Sequence, residues 1–356
     1  MLPAEVCADT LHDLEQAVAD LGLEPGKILE PIRLDASIIQ WANENISRHT
    51  PSDHRLKILL DKLQHDETLA FEYRAGYTGT AQEVFETGQY NCLSFSMLFV
   101  SLAREIGLPA EYLKVDRVER YEREGDLVVL SRHITAGYGT LMDRTILEFD
   151  VGPEVNYSLA NSISDLEALA LYYSNRGTEL LRAGDLPAAI EMLNIAVTLG
   201  PKSSQHWINL GVAKRRSGDL RGAEESYLEA LELDRGNPTA FHNIIALMRM
   251  RGEPDAAGRL LEELSGRKNR NPFTYLALGD LSLGQERYRD AERFYRRALK
   301  LAKHEAETHA AMGLWALASG RHDKAQSWLE KADAIDARNQ RVLELRTRMG
   351  NRPSAE

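Results

Sequence analysis

From about residue 166 onward the apolar positions recur at helical spacing, and small residues recur on a longer ruler. Gly177, Gly211, Ile245, Gly279 and Gly313 stand 34 residues apart. Twelve residues after each comes an alanine: Ala189, Ala223, Ala257, Ala291 and Ala325. A third column reads Ala196, Ala230, Leu264, Ala298 and Ala332. A constant period of this length marks a helix–turn–helix unit that buries its apolar face only by stacking on copies of itself. The small residues belong where two antiparallel helices cross closely. Tyr173, Trp207, Phe241, Tyr275, Tyr227 and Tyr295 fill the gaps between them. Gly184-Asp185, Gly218-Asp219 and Gly252-Glu253 end one helix and open the next. The pattern predicts five helix pairs over 170–339 and a capping helix over 340–350.

The first half is patterned differently. Residues 5–24 and 53–73 read as amphipathic helices, the first with Leu11, Leu14, Val18 and Leu21 on one face. A short helical stretch within 79–91 ends at Gly88, and an apolar helix then begins at Cys92 and stops at Gly107 before Pro109. Beyond it, 110–115, 127–137 and 145–151 read as three strands. The expected architecture is an α+β domain, helices on an antiparallel sheet, followed by an all-α solenoid. The boundaries are 1–60 for an N-terminal helical region, 61–165 for the α+β domain and 166–350 for the repeats.

Composition sharpens this division. The chain of 356 residues is 43% hydrophobic and 27% charged, the profile of a globular protein. Its net charge of −11 argues against a general affinity for nucleic acid. Residues 1–165 carry 14 basic and 28 acidic side chains, so the acidity lies in the first half. Two cysteines, Cys7 and Cys92, make neither a disulfide framework nor a four-thiolate zinc site, and no metal site is expected. His304 and His309 are spaced by five, which takes them off a shared helix face. The longest apolar run, Cys92–Ala103, is too short to span a bilayer. With no basic and apolar leader at Met1, a cytoplasmic location is expected, or a periplasmic one if translation starts further upstream.

A cysteine at a helix N-terminus sits beside free backbone N–H groups and the positive end of the helix dipole, which favours thiolate. Such a nucleophile needs a base from another element, oriented by a third group. His133, in the second strand, and Asp150, after the third, follow Cys92 in the order Cys, His, Asp.

Two resemblances follow from these residues. Trp207, Leu210, Gly211, Ala223, Tyr227 and Ala230 match the tetratricopeptide repeat signature. That resemblance implies a groove, lined by the first helix of each repeat, that takes a peptide or protein partner. Arg215 and Arg249, one repeat apart, should face it and hold an acidic partner, unless they are solvated or pair with the acidic first half. The string Gly88-Gln89-Tyr90-Asn91-Cys92, followed by Ala103-Arg104-Glu105-Ile106-Gly107-Leu108-Pro109-Ala110, resembles the transglutaminase-like superfamily, of papain-like architecture, over 75–160. It implies Cys92 as nucleophile, His133 as base and acid, and Asp150 as the group fixing the imidazole tautomer. The Cys92 N–H is the first oxyanion donor, with Gln89 or Gln82 as candidates for the second. The implied activity is acyl transfer or amide hydrolysis on a protein or peptide, without metal or organic cofactor. The alternative is a non-catalytic adaptor that uses the same fold to hold a protein partner. Leu93-Ser94 follows the cysteine where many relatives carry a charged residue, which leaves the substrate class open.

Overall fold

Short polar side chains open the helices of the first half, and glycines close several of them. The computed structural model describes residues 11–65, 69–74, 76–124, 127–140, 143–147, 160–234, 237–252 and 272–350. Side chains at 116–124, 127–133, 140, 143, 144, 238 and 249 lie outside that description. Helix α1 (Leu11–Asp20) buries Leu14 and Val18, but Leu11 and Leu21 are 53% and 40% exposed, so the buried stripe is shorter than expected. A short turn of helix, α2 (Pro25–Ile28), leads to α3 (Ala36–Asn45), which the sequence pattern did not predict. Asp35 caps α3 by accepting the Ile38 N–H at 2.8 Å. Helix α4 (Ser52–His65) follows.

The helix expected to run on to residue 73 stops at His65. Strand β1 (Glu72–Tyr73) pairs in parallel with β2 (Gln89–Tyr90). The Glu72 N–H donates to the Gly88 carbonyl at 2.8 Å and the Arg74 N–H to the Tyr90 carbonyl at 2.7 Å. Between the two strands lies α5 (Ala81–Thr87), opened by a Thr80–Glu83 capping box and closed by Gly88 at φ 70°. A Cβ at Gly88 would stand 2.0 Å from the Ala70 carbonyl oxygen, so glycine alone lets the two backbones meet.

Helix α6 (Cys92–Glu105) starts at the cysteine, capped by Asn91 and Ser94. It is the core of the first half: Met97, Leu98, Phe99, Val100, Leu102 and Ala103 are fully buried. Around it pack Ile38 and Ala42 of α3, Leu59 of α4, and Tyr112, Ile134 and Ala136 from the sheet. The sheet has four strands, β3 (Ala110–Glu124), β4 (Leu127–Thr140), β5 (Asp143–Leu147) and β6 (Ala160–Ile163), in the order β5-β4-β3-β6. The β3–β6 and β4–β5 pairs are antiparallel, with registers Tyr112↔Ile163 and Ala136↔Leu147. Three strands were expected; β6 is the addition.

The repeats begin with α7 (Asp165–Ala183), α8 (Leu186–Leu199) and α9 (Ser204–Arg216), and α10 (Leu220–Leu233) follows. Contacts divide the chain into two compact units, 1–122 with 130–226, and 123–129 with 227–356. The first unit has one continuous core, in which Leu169, Ala170, Ala196 and Leu199 of the repeat helices join α6. Arg104 near the end of α6 donates to both Asp165 carboxylate oxygens, at 2.6 and 2.9 Å, fixing the start of α7.

The second unit contains α11 (Pro238–Met250), α12 (Pro272–Gly284), α13 (Tyr288–Leu301), α14 (Ala306–Ala318), α15 (His322–Asp336) and the capping helix α16 (Gln340–Gly350). The second half of the third repeat, with Ala257 and Leu264, lies outside the described residues. The glycine column has a steric cause. A Cβ at Gly177 would stand 2.6 Å from Leu193 Cγ, at Gly279 2.2 Å from Tyr295 Cε1, and at Gly313 2.3 Å from Leu345 Cδ2. Of the aromatic column, Tyr227 and Tyr295 are fully buried, while Trp207 is half-buried with its indole N–H on the Pro201 carbonyl at 3.0 Å. Among the described residues, no helix is long and apolar enough to cross a membrane.

Candidate functional site

Cys92 is held at the first turn of α6 by its polar neighbours. Asn91 accepts the Ser94 N–H at 2.9 Å and donates its amide to the Thr78 hydroxyl at 2.7 Å. Thr78 and Ser94 are fully buried, so the turn before the cysteine is fixed from inside. The Cys92 side chain is half-buried, and its Sγ lies 3.7 Å from the Tyr73 hydroxyl. Tyr73 arrives there through the β1–β2 ladder, which pairs it with Tyr90. Tyr73, Tyr90, Phe95 and Phe71 form an edge-packed aromatic wall with ring centroids 4.7 to 6.0 Å apart. The arrangement offers a thiol at a helix N-terminus, a phenol beside it and access to solvent.

Of the residues expected to act with Cys92, His133 has its backbone in β4 and its side chain outside the described set. Asp150 and Cys7 lie outside the described residues altogether. Gln82 donates its amide to Asp35 at 3.4 Å and to Glu86 at 2.9 Å. Gln89 sits half-buried on β2. Tyr73 was not anticipated, because its segment was read as helix. Among the described residues no cluster of three His, Cys, Asp or Glu side chains could hold a metal ion.

A second polar constellation lies on the first helices of the first two repeats. Gln205 donates its amide to Asn209 Oδ1 at 2.8 Å, and Asn209 donates to the Ser174 hydroxyl at 3.0 Å. Thr178 donates to the Ser174 carbonyl at 2.8 Å. Ser174, Thr178, Gln205, Asn209 and Arg215 are all buried. Among the described residues Gln205 Oε1 has no hydrogen-bond partner. Arg215, which the sequence left open to a solvated role, is only 7% exposed. Its counterpart Arg249 sits on α11 with its side chain outside the described set.

The second unit has its own network. Arg341 of α16 donates to both Asp280 oxygens, at 2.8 and 2.7 Å, and Tyr295 donates to Asp280 Oδ1 at 2.7 Å. Burial works against the Arg341 charge, but Asp280 and Glu307 outweigh it and keep the guanidinium protonated.

Helix pairs on a fixed 34-residue period, crossing on small residues, define an α-solenoid of the repeat-protein class. Residues 174–238 and 282–349 match the tetratricopeptide repeat family, and the chain carries tetratricopeptide repeats. Over 88 residues it is 36% identical to a TPR repeat-containing protein of Pseudomonas aeruginosa, covering 25% of this chain and 36% of that one. It is 33% identical over 78 residues to a heat-shock protein cognate co-chaperone of Aspergillus fumigatus, covering 22% of each. A third similarity, 33% over 91 residues, is to tetratricopeptide repeat protein 36 of Homo sapiens, covering 24% of this chain and 48% of that one. The chain therefore spans less than half the length of these relatives. Among solved structures, Pseudomonas aeruginosa pilF is similar at 21% identity and a TM-score of 0.44, over 51% of this chain and 82% of that one. Among the described residues the molecule is mostly helical, with a small four-stranded sheet and the two-stranded β1–β2 pair.

Proposed function

We propose that this protein is a scaffold that holds an extended segment of a protein partner against the first helices of its repeats. The observation that carries this reading is the ladder Ser174–Asn209–Gln205, with Arg215 beyond it on α9. The side-chain amides of Gln205 and Asn209 stand in a row on α9, and Gln205 Oε1 is an acceptor with no partner among the described residues. Arg215, with Arg249 one repeat on, supplies positive charge for a carboxylate on the partner. Selection from a displayed peptide library, followed by titration, tests this. Asn209→Ala should weaken the selected peptides about tenfold, and Arg215→Ala should weaken them in a salt-sensitive way. Unchanged affinity in both variants refutes the scaffold.

A second reading is favoured by the thiol at the start of α6 beside the Tyr73 hydroxyl. In it a transglutaminase-like domain uses Cys92, His133 and Asp150, with Gln89 or Gln82 at the oxyanion. The Cys92 thiolate attacks a carboxamide or peptide carbonyl; His133 gives a proton to the leaving amine, and a thioester remains. Water or an amine, deprotonated by His133, then releases the acyl group and restores the thiol. Labelling by iodoacetamide at about pH 6.5 should be faster at Cys92 than at Cys7 and should slow in His133→Ala. Equal labelling that ignores His133 eliminates the enzyme and leaves the scaffold.

A further inference from the structure

The second helices of two repeats carry opposite charges at the same repeat positions. On α10, Ala223, Tyr227 and Ala230 are fully buried, and Glu225, Leu228, Glu229 and Glu232 form the exposed side. On α13, Ala291, Tyr295 and Ala298 are fully buried, and Arg293, Arg296, Arg297 and Lys300 form the exposed side. Spacings of three and four residues put each exposed set on one stripe of its helix. The two stripes are counterparts: two 34-residue periods beyond Glu225, Glu229 and Glu232 stand Arg293, Arg297 and Lys300. In the first repeat these positions read Glu191, Ile195 and Thr198, and in the fifth Ser327, Lys331 and Ala334. The repeat itself therefore imposes neither row.

Local pairing does not consume these charges. Residues 220–234 carry one basic and five acidic side chains, and 287–303 carry seven basic and two acidic. Arg221 meets Glu225 at 3.1 Å, Asp290 meets Arg293 at 3.1 Å and Glu292 meets Arg296 at 2.6 Å. Pairs of this kind, one turn apart on a surface helix, are weak and exchange partners easily. Glu229, Glu232, Arg297 and Lys300 make no ion pair among the described residues. From Tyr227 onward α10 belongs to the same compact unit as α13. Equivalent positions of stacked repeats point the same way, so the two rows of one chain cannot turn onto each other.

We propose that the two rows join a second copy of this chain, α10 of each copy lying along α13 of the other about a twofold axis. An axis parallel to the helices exchanges the rows and preserves height along them, so equivalent repeat positions come opposite each other. Glu225 then faces Arg293, Glu229 faces Arg297 and Glu232 faces Lys300. Leu228, 50% exposed in the single chain, is covered by the aliphatic stem of Arg296. Each helix has 14 residues and is about 21 Å long. The two contacts therefore bury a small area, and the dimer is weak and driven by charge. The peptide ladder lies on first helices, so the dimer goes beyond the scaffold reading and stands or falls without it.

Sedimentation equilibrium of the full chain, kept reduced, tests the pairing. A monomer–dimer equilibrium is expected at about 0.1 mM chain in about 0.1 M salt. It should weaken at least about tenfold in about 1 M salt, where the screening length falls from about 10 to about 3 Å. One variant combines Glu229→Lys with Glu232→Lys, and a second combines Arg297→Glu with Lys300→Glu. Each sets like charges against each other at both contacts and should weaken the dimer at least about a hundredfold. Mixed in equal amounts, the two variants oppose unlike charges again at both contacts, and association should return to the wild-type level. A wild type that stays monomeric overturns the proposal and leaves the basic row to an acidic partner of another kind. A dimer that ignores either variant overturns it. So does a mixture that fails to associate, since both variants change only exposed side chains and leave the fold intact.

Discussion

Gly279→Ala should be the most instructive single-atom change in the repeats. On propensity alone, alanine in place of glycine within a helix gains up to about 1 kcal/mol. Against this, the new Cβ would meet Tyr295 Cε1 at 2.2 Å and Cδ1 at 2.4 Å. To restore an ordinary contact of 3.4 Å the ring must retreat, and it has no free path. Tyr295 is fully buried, and its hydroxyl donates to Asp280, which Arg341 grips with two further bonds. Overpacking of this kind costs about 1–3 kcal/mol, and a strained bond to a charged acceptor adds to it. The expected net loss is about 2 kcal/mol. Gly313→Ala is the control, because its 2.3 Å neighbour is Leu345 Cδ2, the far end of a flexible side chain. A rotamer change there costs about 1 kcal/mol, which the propensity gain offsets. Two compact units make global unfolding a poor readout, so hydrogen exchange of the amides of α12 and α13, and of α14 and α16 for the control, is the assay. Exchange in Gly279→Ala should rise about 30-fold and in Gly313→Ala little. Adding Tyr295→Phe should recover part of the loss by untying the ring from Asp280. No loss at Gly279 refutes the steric account of the column, and equal losses at Gly279 and Gly313 refute the argument that the neighbour's freedom to move sets the cost.

Three further outcomes are expected. Asp165→Asn leaves Arg104 without its bidentate partner at a side chain only 6% exposed, and should lower the stability of the first unit by about 3 kcal/mol in denaturant titrations. The Asp35 carboxyl is held below its ordinary pKa by the Ile38 N–H first and by the Ser37 hydroxyl second. Its stabilising effect is therefore present above the unfolded value of about 3.9 and lost as pH falls through the lower folded value. The stability gap between wild type and Asp35→Ala should accordingly close below about pH 4. Gly88→Ala would push against the Ala70 carbonyl at a positive φ, costing at least about 2 kcal/mol. It should also change the labelling rate of Cys92, because β1 carries Tyr73.

The repeats were legible because one steric requirement recurs. Each close helix crossing admits only a small side chain, so Gly177, Gly279 and Gly313 fall on the same ruler. The third repeat departs from the columns at Ile245 and Leu264. Helix α6 was legible for a local reason, a polar cap at Asn91 directly before an apolar run. Strand β1 was not legible, since its partner β2 lies beyond α5 and the parallel pairing depends on the approach of Gly88 to Ala70. With β1 misread, Tyr73 could not be placed beside Cys92. The burial of Arg215 was equally invisible, because helical periodicity gives a residue's angular position and not what covers it.

The scaffold and the enzyme make different demands on α6. Its C-terminal end is committed to the repeats: Arg104 clamps Asp165, and the helix shares one core with α7 and α8. A helix holding the first repeat in place must keep its buried stripe and Arg104, whatever stands at position 92. An enzyme must in addition keep a thiolate and its base in register at the other end. Cys92→Ser separates the two demands. It leaves the apolar face of α6 and the Arg104 clamp untouched, so the stability of the first unit and the affinity of selected peptides should match wild type. Turnover of any amide substrate should vanish, since a serine hydroxyl lacks the ionisation that a helix N-terminus gives a thiol. Lost peptide affinity in Cys92→Ser would refute the separation and make the cysteine part of the binding surface itself.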